Sequence, residues 1–161
     1  MNAAFNVLNE LMVDIFNDIL TIEQTALQAG SFSDISVTEI HTIEAIGMYR
    51  TRTMSEVAAT LGITVGTLCV AINNLGKKGY VERKRTDIDR RVVNIQLTKR
   101  GKLAFRIHEK FHSDMIKATI DGLTDEENVI LVKSLAQLND FFKINYNLVG
   151  GKKKEQINER S

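Results

Sequence analysis

The chain has 161 residues, 43% hydrophobic and 25% charged, which is an ordinary globular composition able to bury one core. No window approaches the roughly 18 uncharged apolar residues of a membrane helix, and one cysteine excludes an intramolecular disulfide or a multi-cysteine metal cluster. The net charge of +1 hides a steep gradient: residues 1–49 hold seven acidic side chains and no Lys or Arg, residues 50–110 fourteen basic against five acidic, and residues 111–161 seven basic against eight acidic. A basic middle between acidic or balanced ends points to a polyanion partner. No basic residue precedes the first apolar stretch, so no secretory signal is read there and a cytoplasmic protein is expected.

In chain order, Leu8, Met12, Ile15, Ile19, Ile22 and Ala26 recur at helical spacing and predict a first helix ending near Gly30. Ser36 and Glu39 form a capping box for a second helix that buries Ile40, Ile43 and Ile46 and stops at Gly47. A second box, Thr53 with Glu56, opens a short helix through Leu61. After Gly62, Thr64 caps a helix running to about Lys78, with Gly79 closing it. The period then shortens: Tyr80 to Arg85 and Val92 to Leu97 alternate and are rich in β-branched residues, predicting a hairpin with a charged tip. Thr98 caps a long helix through about Ile120. Thr124 with Glu127 opens a last one, in which Ile130 or Leu131, Leu135, Leu138 and Phe142 face inward. Residues 147–161 lack periodicity and read as a disordered tail.

The expected fold class is mainly α with a small β-hairpin wing, a winged helix-turn-helix core flanked by dimerisation helices. Residues 1–48 and 99–146 would supply the dimerisation helices and residues 49–98 the DNA-binding module. Residues 54–75 meet the requirements of a helix-turn-helix: Val57, Leu61, Ile63, Leu68 and Ala71 for contacts, Ala58 for close approach and Gly62 for the turn. With Leu68, Ile72 and Leu75 inward, Val65, Thr67, Cys69, Val70 and Asn73 are left to face DNA. Asn73 is suited to adenine, and the Val and Thr methyls to thymine. The absence of a guanine-reading Arg favours an A·T-rich operator. Residues 77–102 hold ten Lys or Arg and three acids, and Lys77, Lys78, Arg83, Arg85 and Arg90 are expected on phosphates. No Gly-rich phosphate loop, nucleophile beside a His, or carboxylate pair in an evident pocket is present, so no enzyme is expected and no cofactor is required.

The order of elements, and above all Asp89-Arg-Arg91-Val-Val-Asn-Ile95-Gln-Leu97-Thr98, resembles the MarR family of bacterial winged-helix regulators, with Gly79-Tyr80-Val81 and Lys99-Arg100-Gly101 flanking the signature. The resemblance implies a homodimer whose recognition helices enter successive major grooves of a palindromic double-stranded operator. It also implies that Arg91 is the minor-groove arginine of the wing. Asp89 would orient that guanidinium by a bidentate pair.

Within the family two branches compete. The segments around Ile15-Phe16-Asn17, Asp34-Ile35-Ser36, His41-Thr42-Ile43, Lys77-Lys78-Gly79 and Ile120-Asp121-Gly122 resemble the fatty-acid-synthesis repressors, which implies acyl carrier protein bearing a long acyl chain as corepressor. An acyl chain needs an apolar slot, for which Ile15, Phe16, Ile19, Ile43, Met48, Phe105 and Phe111 are the candidates. The acidic carrier would seek Arg50, Arg52 or Arg106. The alternative is a zinc-responsive repressor of metal uptake: Glu23, His41, His108 and His112 stand where the zinc-sensing branch places one site. His108 and His112 are spaced i, i+4 as two imidazoles on one helical face must be to share Zn²⁺.

Overall fold

The computed structural model describes residues 3–85, 88–89 and 91–146. Among these residues six helices and three strands follow in the order α1 (Ala3–Ala29), α2 (Val37–Ile46), β1 (Arg52–Thr53), α3 (Met54–Leu61), α4 (Val65–Lys77), β2 (Val81–Arg85), β3 (Val93–Leu97), α5 (Lys99–Ile120) and α6 (Asp125–Tyr146). The predicted tail and Arg90 lie outside the described residues. Among those described, no single helix is long and apolar enough to cross a membrane.

The helix starts obey local chemistry. Ser36 and Thr53 each accept the backbone N–H three residues on at 3.2 Å, and Glu39 and Glu56 accept the cap N–H at 2.9 and 2.8 Å, closing both capping boxes. Thr64 and Thr98 cap α4 and α5 in the same way through their hydroxyls. Gly62 adopts a left-handed conformation, φ 67°, and α3 and α4 meet there at 106°. The sheet is antiparallel in the order β1–β3–β2, with Arg83 opposite Ile95 in the hairpin and Arg52 opposite Ile95 on the other edge. β1 was not expected. It has only two residues, too few to show a period, and Thr53 serves both as its end and as the cap of α3.

One core runs from the end of α1 to the start of α5. Ile43, Ile46, Val57, Leu68, Leu75, Tyr80 and Ile95 are fully enclosed in it, and Leu27 and Ala104 close its ends. The ends of the chain depart from the inward faces expected of them. Leu8, Ile15 and Ile22 on α1 are 60, 52 and 49% exposed, and α1 buries only Glu23 and Leu27. No residue of α6 is buried, and Ile130 and Leu135 are 64 and 55% exposed. Their periodicity is that of buried helices, but a single chain provides nothing to cover them.

Candidate nucleic-acid interface and histidine cluster

The recognition helix α4 is held from within by Leu68, Ile72 and Leu75, which leaves Val65 and Val70 43 and 62% exposed on the outer face beside Thr67 and Asn73. Cys69 is half-buried and packs against the core, so it is the one residue of the predicted reading face that is drawn inward. Thr67 shares its hydroxyl with Thr64 at 2.9 Å. Asn73 accepts from Arg83 on β2 at 2.7 Å through its amide oxygen, which ties the helix to the wing. That oxygen is one of the two atoms a bidentate adenine contact uses, so Arg83 would have to share or release it on DNA.

On the wing, Lys84, Arg85 and Arg91 are exposed. Asp89 accepts the Arg91 backbone N–H at 2.9 Å, and its own carbonyl accepts from Val92 at 3.1 Å. Asp89 thus shapes the tip turn that presents Arg91. Lys77 is exposed as a phosphate contact requires, whereas Lys78 is half-buried, its ammonium 2.8 Å from both carboxylate oxygens of Glu39. Arg52 is not free for an acidic partner either. Its guanidinium donates to the carbonyls of Ala45 and Glu56 and to the Thr60 hydroxyl, cross-linking α2, β1 and α3. Arg50 and Arg106 remain exposed.

Four ionisable side chains predicted to act together do meet. Glu23 on α1 is buried, its carboxylate 3.4 Å from His41 Nε2, 3.2 Å from His112 Nε2 and 3.9 Å from His108 Nε2. The two imidazoles of α5 lie 3.1 Å apart, nitrogen to nitrogen. A fifth group, Glu44 on α2, stands 3.4 Å from His108. The His108 hydrogen bond holds its carboxyl below the ordinary value despite the opposing effect of burial, and the charges of His112 and His41 add to this. Glu44 went unnoticed in the sequence, although its place three residues after His41 puts both on one face of α2. The Glu23 oxygen nearest His112, 3.2 Å from its Nε2, is buried without a well-aligned hydrogen bond, an expensive arrangement for a carboxylate.

Beside this cluster a cleft of about 600 Å³ opens between α2 and α5, lined by Glu44, Phe105, His108, His112, Ile116 and Lys117 among others. Of the seven residues predicted for an acyl slot, only Phe105 lines it. Ile43 is fully enclosed in the core and Met48 is buried. Ile19 and Phe111 are half-buried, and Ile15 and Phe16 point outward from α1. A single chain does not bring the seven together, because the α1 residues project into space that only another molecule would fill.

A family model described as MarR family matches residues 33–92, which run from the turn before α2 through α3 and α4 to β2 and stop just before β3. Among solved structures, Streptococcus pneumoniae FabT in complex with DNA superposes with a TM-score of 0.79 at 42% identity, covering 86% of this chain and 97% of that one. Among curated proteins of Bacillus subtilis (strain 168), the HTH-type transcriptional regulator YfiV is 28% identical over 107 residues, 66% of either chain. The HTH-type transcriptional repressor YetL is 30% identical over 84 residues, 52% of this chain and 50% of its own. The chain thus matches between half and two thirds of the length of those curated relatives. These relatives are transcription regulators and not enzymes. An identity of 42% sustained along nearly all of a DNA-bound relative agrees with a fold that ties α4 to a basic wing, and the chain belongs to the MarR family of winged helix-turn-helix transcription regulators.

Proposed function

We propose that the protein is a homodimeric repressor of fatty-acid-synthesis genes, which binds an A·T-rich palindromic operator and takes long-chain acyl carrier protein as corepressor. The observation that carries the effector reading is a pair of open apolar surfaces. Ile15 and Phe16 project from α1, and a cleft of about 600 Å³ opens beside Phe105 and Ile116. A second chain applying its own apolar helices would enclose such surfaces into a slot of the size an acyl chain needs. The exposed Arg50 and Arg106 suit the acidic carrier. A corepressor must favour the DNA-competent arrangement by differential binding, and couplings of about 1–3 kcal/mol give roughly 5–150-fold in operator affinity. The test is an operator titration with acyl carrier protein bearing a long chain, with the free fatty acid, with Zn²⁺ and with a chelator. The acyl carrier raises operator affinity and the free acid does so less; equal action at equal concentration removes the carrier from the proposal.

A second reading, a zinc-responsive repressor, is favoured by the geometry of the histidine cluster. Donors about 2.0–2.1 Å from a tetrahedral Zn²⁺ are about 3.3–3.4 Å from one another. Glu23 lies 3.4 Å from His41 through one carboxylate oxygen and 3.2 Å from His112 through the other, and His108 and His112 are 3.1 Å apart. One donor atom from each of Glu23, His41 and His108 falls within 4.8 Å of the others, as it does for Glu44, His108 and His112. Of the four residues Glu23, His41, His108 and His112, the first three would hold the metal, and His112 with Glu44 would complete a second set through His108. In the titration above, an inert acyl carrier, loss of binding on chelation and the same loss in His108→Ala would replace the acyl reading with this one.

A further inference from the structure

The chain segment Lys78–Gly79–Tyr80 joins the recognition helix α4 to the first strand of the wing, so both DNA-facing elements pivot on it. It is gripped from two sides. From the α2 side, Glu39 accepts the Lys78 ammonium through both oxygens at 2.8 Å while also closing the cap of α2 on the Ser36 N–H at 2.9 Å. From the α5 side, Arg100 donates to the Lys78 carbonyl at 2.7 Å and Thr98 to the Gly79 carbonyl at 2.7 Å. The Arg100 guanidinium lies 4.3 Å over the Tyr80 ring and reaches both oxygens of Asp34 at 3.2 Å, and Tyr80 donates its hydroxyl to the same Asp34 at 2.6 Å.

We propose that Glu39 and Lys78 are a positioning pair that sets the angle at which α4 meets DNA, and that Lys78 acts on operator specificity through this clamp and not by neutralising a phosphate. The Glu39 side chain is only 11% exposed, so releasing Lys78 to a phosphate would strand a nearly buried carboxylate with its cap bond alone. The lever is long. A 13-residue helix extends about 20 Å, and a tilt of about 5° at its Lys78 end moves the Val65 end by nearly 2 Å, enough to break base-edge contacts. Binding that depends on charge alone tolerates such a shift, because phosphates are read without register.

The test compares operator and random-sequence duplexes over a range of salt for the full chain, Lys78→Met, Glu39→Gln and the double variant. Gln at this third helical position still closes a capping box, so Glu39→Gln removes the ion pair and keeps the helix start. Each single variant is expected to lose about tenfold in operator affinity with random-duplex affinity within about twofold, the salt slope unchanged and the double variant no weaker than the singles. Lys78→Arg, which keeps charge and pair, retains operator binding. The proposal is overturned if Lys78→Met weakens both duplexes alike and lowers the salt slope by about one, if Glu39→Gln tightens binding, if either single variant leaves operator affinity unchanged, or if the two losses add. A fold defect is read separately from thermal unfolding of each variant, and Lys78→Met, which leaves Ser36 and Glu39 themselves in place, then decides the matter.

Discussion

Arg91 projects from a turn whose geometry depends on Asp89, since the carboxylate accepts the Arg91 N–H at 2.9 Å. Arg91→Ala is therefore expected to weaken specific operator binding by about 1–3 kcal/mol. Asp89→Ala is expected to weaken it too, although it removes a negative charge near phosphates, because the tip loses its shape; fluorescence anisotropy with a labelled operator measures both. Tighter binding by the Asp89 variant would show that turn geometry does not matter. At the other end of the wing, Gly101 packs so closely that a Cβ would sit 2.1 Å from the Tyr80 carbonyl oxygen and 3.1 Å from its carbon. Backbone cannot step aside as a flexible side chain would, so Gly101→Ala is expected to lower stability by about 1–3 kcal/mol in urea unfolding. Asp34 makes the acid limb predictable. The Tyr80 hydroxyl bond holds its carboxyl below the ordinary value, outweighing the raising effect of burial, with Arg100 and Lys78 assisting. A depressed folded pKa contributes stability that is present above the unfolded value near 4 and is lost as pH falls through the lower folded one. The urea midpoint should accordingly fall below about pH 4, and Asp34→Asn should flatten that fall. Tyr80 is shifted the opposite way, raised by burial and then by Asp34, so its contribution is lost only in strong alkali.

Among the elements, α2 and α3 were legible because each start is written in four residues: Ser36 with Glu39 and Thr53 with Glu56 are boxes that form wherever the chain is helical. The turn at Gly62 was legible for the same local reason. Thr53→Ala is expected to cost about 1 kcal/mol by leaving the Glu56 N–H without its cap, measured by thermal unfolding against the parent. If stability is unchanged, water replaces the cap without loss. Long-range geometry was less legible. The histidine cluster could be assembled from family resemblance, yet Glu44 joins it only because α2 and α5 pack side by side, which periodicity does not reveal. Lys78, Arg52 and Asn73 looked like free polar groups in the sequence. Their partners are 39 residues away for Lys78, 4 to 8 for Arg52 and 10 for Asn73, so only the folded chain shows that each is engaged. The periodicity of α1 and α6 marked an apolar face on each, and their exposure in the single chain leaves those faces for another molecule, since an apolar stripe reports that a helix is covered without saying by which chain.

For the whole molecule those stripes decide the assembly that DNA meets. Phe5, Leu8, Leu11 and Phe16 on α1 are each at least half exposed, as are Val129, Ile130, Val132 and Ile144 on α6. Apolar surface on that scale is rare on a monomer and marks an association face. The expected arrangement is a closed pair of chains related by a twofold axis, in which the same surface serves both partners and the two recognition helices are spaced by the helical frame. Such a pair reads an inverted repeat whose half-sites lie about one turn of duplex apart. Val132→Glu, placing a charge on α6 at a residue that is 67% exposed in the single chain, is expected to yield folded monomers in analytical ultracentrifugation. A monomer engages one half-site, and the loss of the second, effectively intramolecular, contact should lower operator affinity by roughly 10²–10⁴-fold. Affinity for a single half-site should change little, because α3, α4 and the wing fold around a core to which α6 contributes no buried residue. A folded monomer that keeps full operator affinity, or a selected operator without an inverted repeat, would mean that these helical faces serve some partner other than a second copy of the chain.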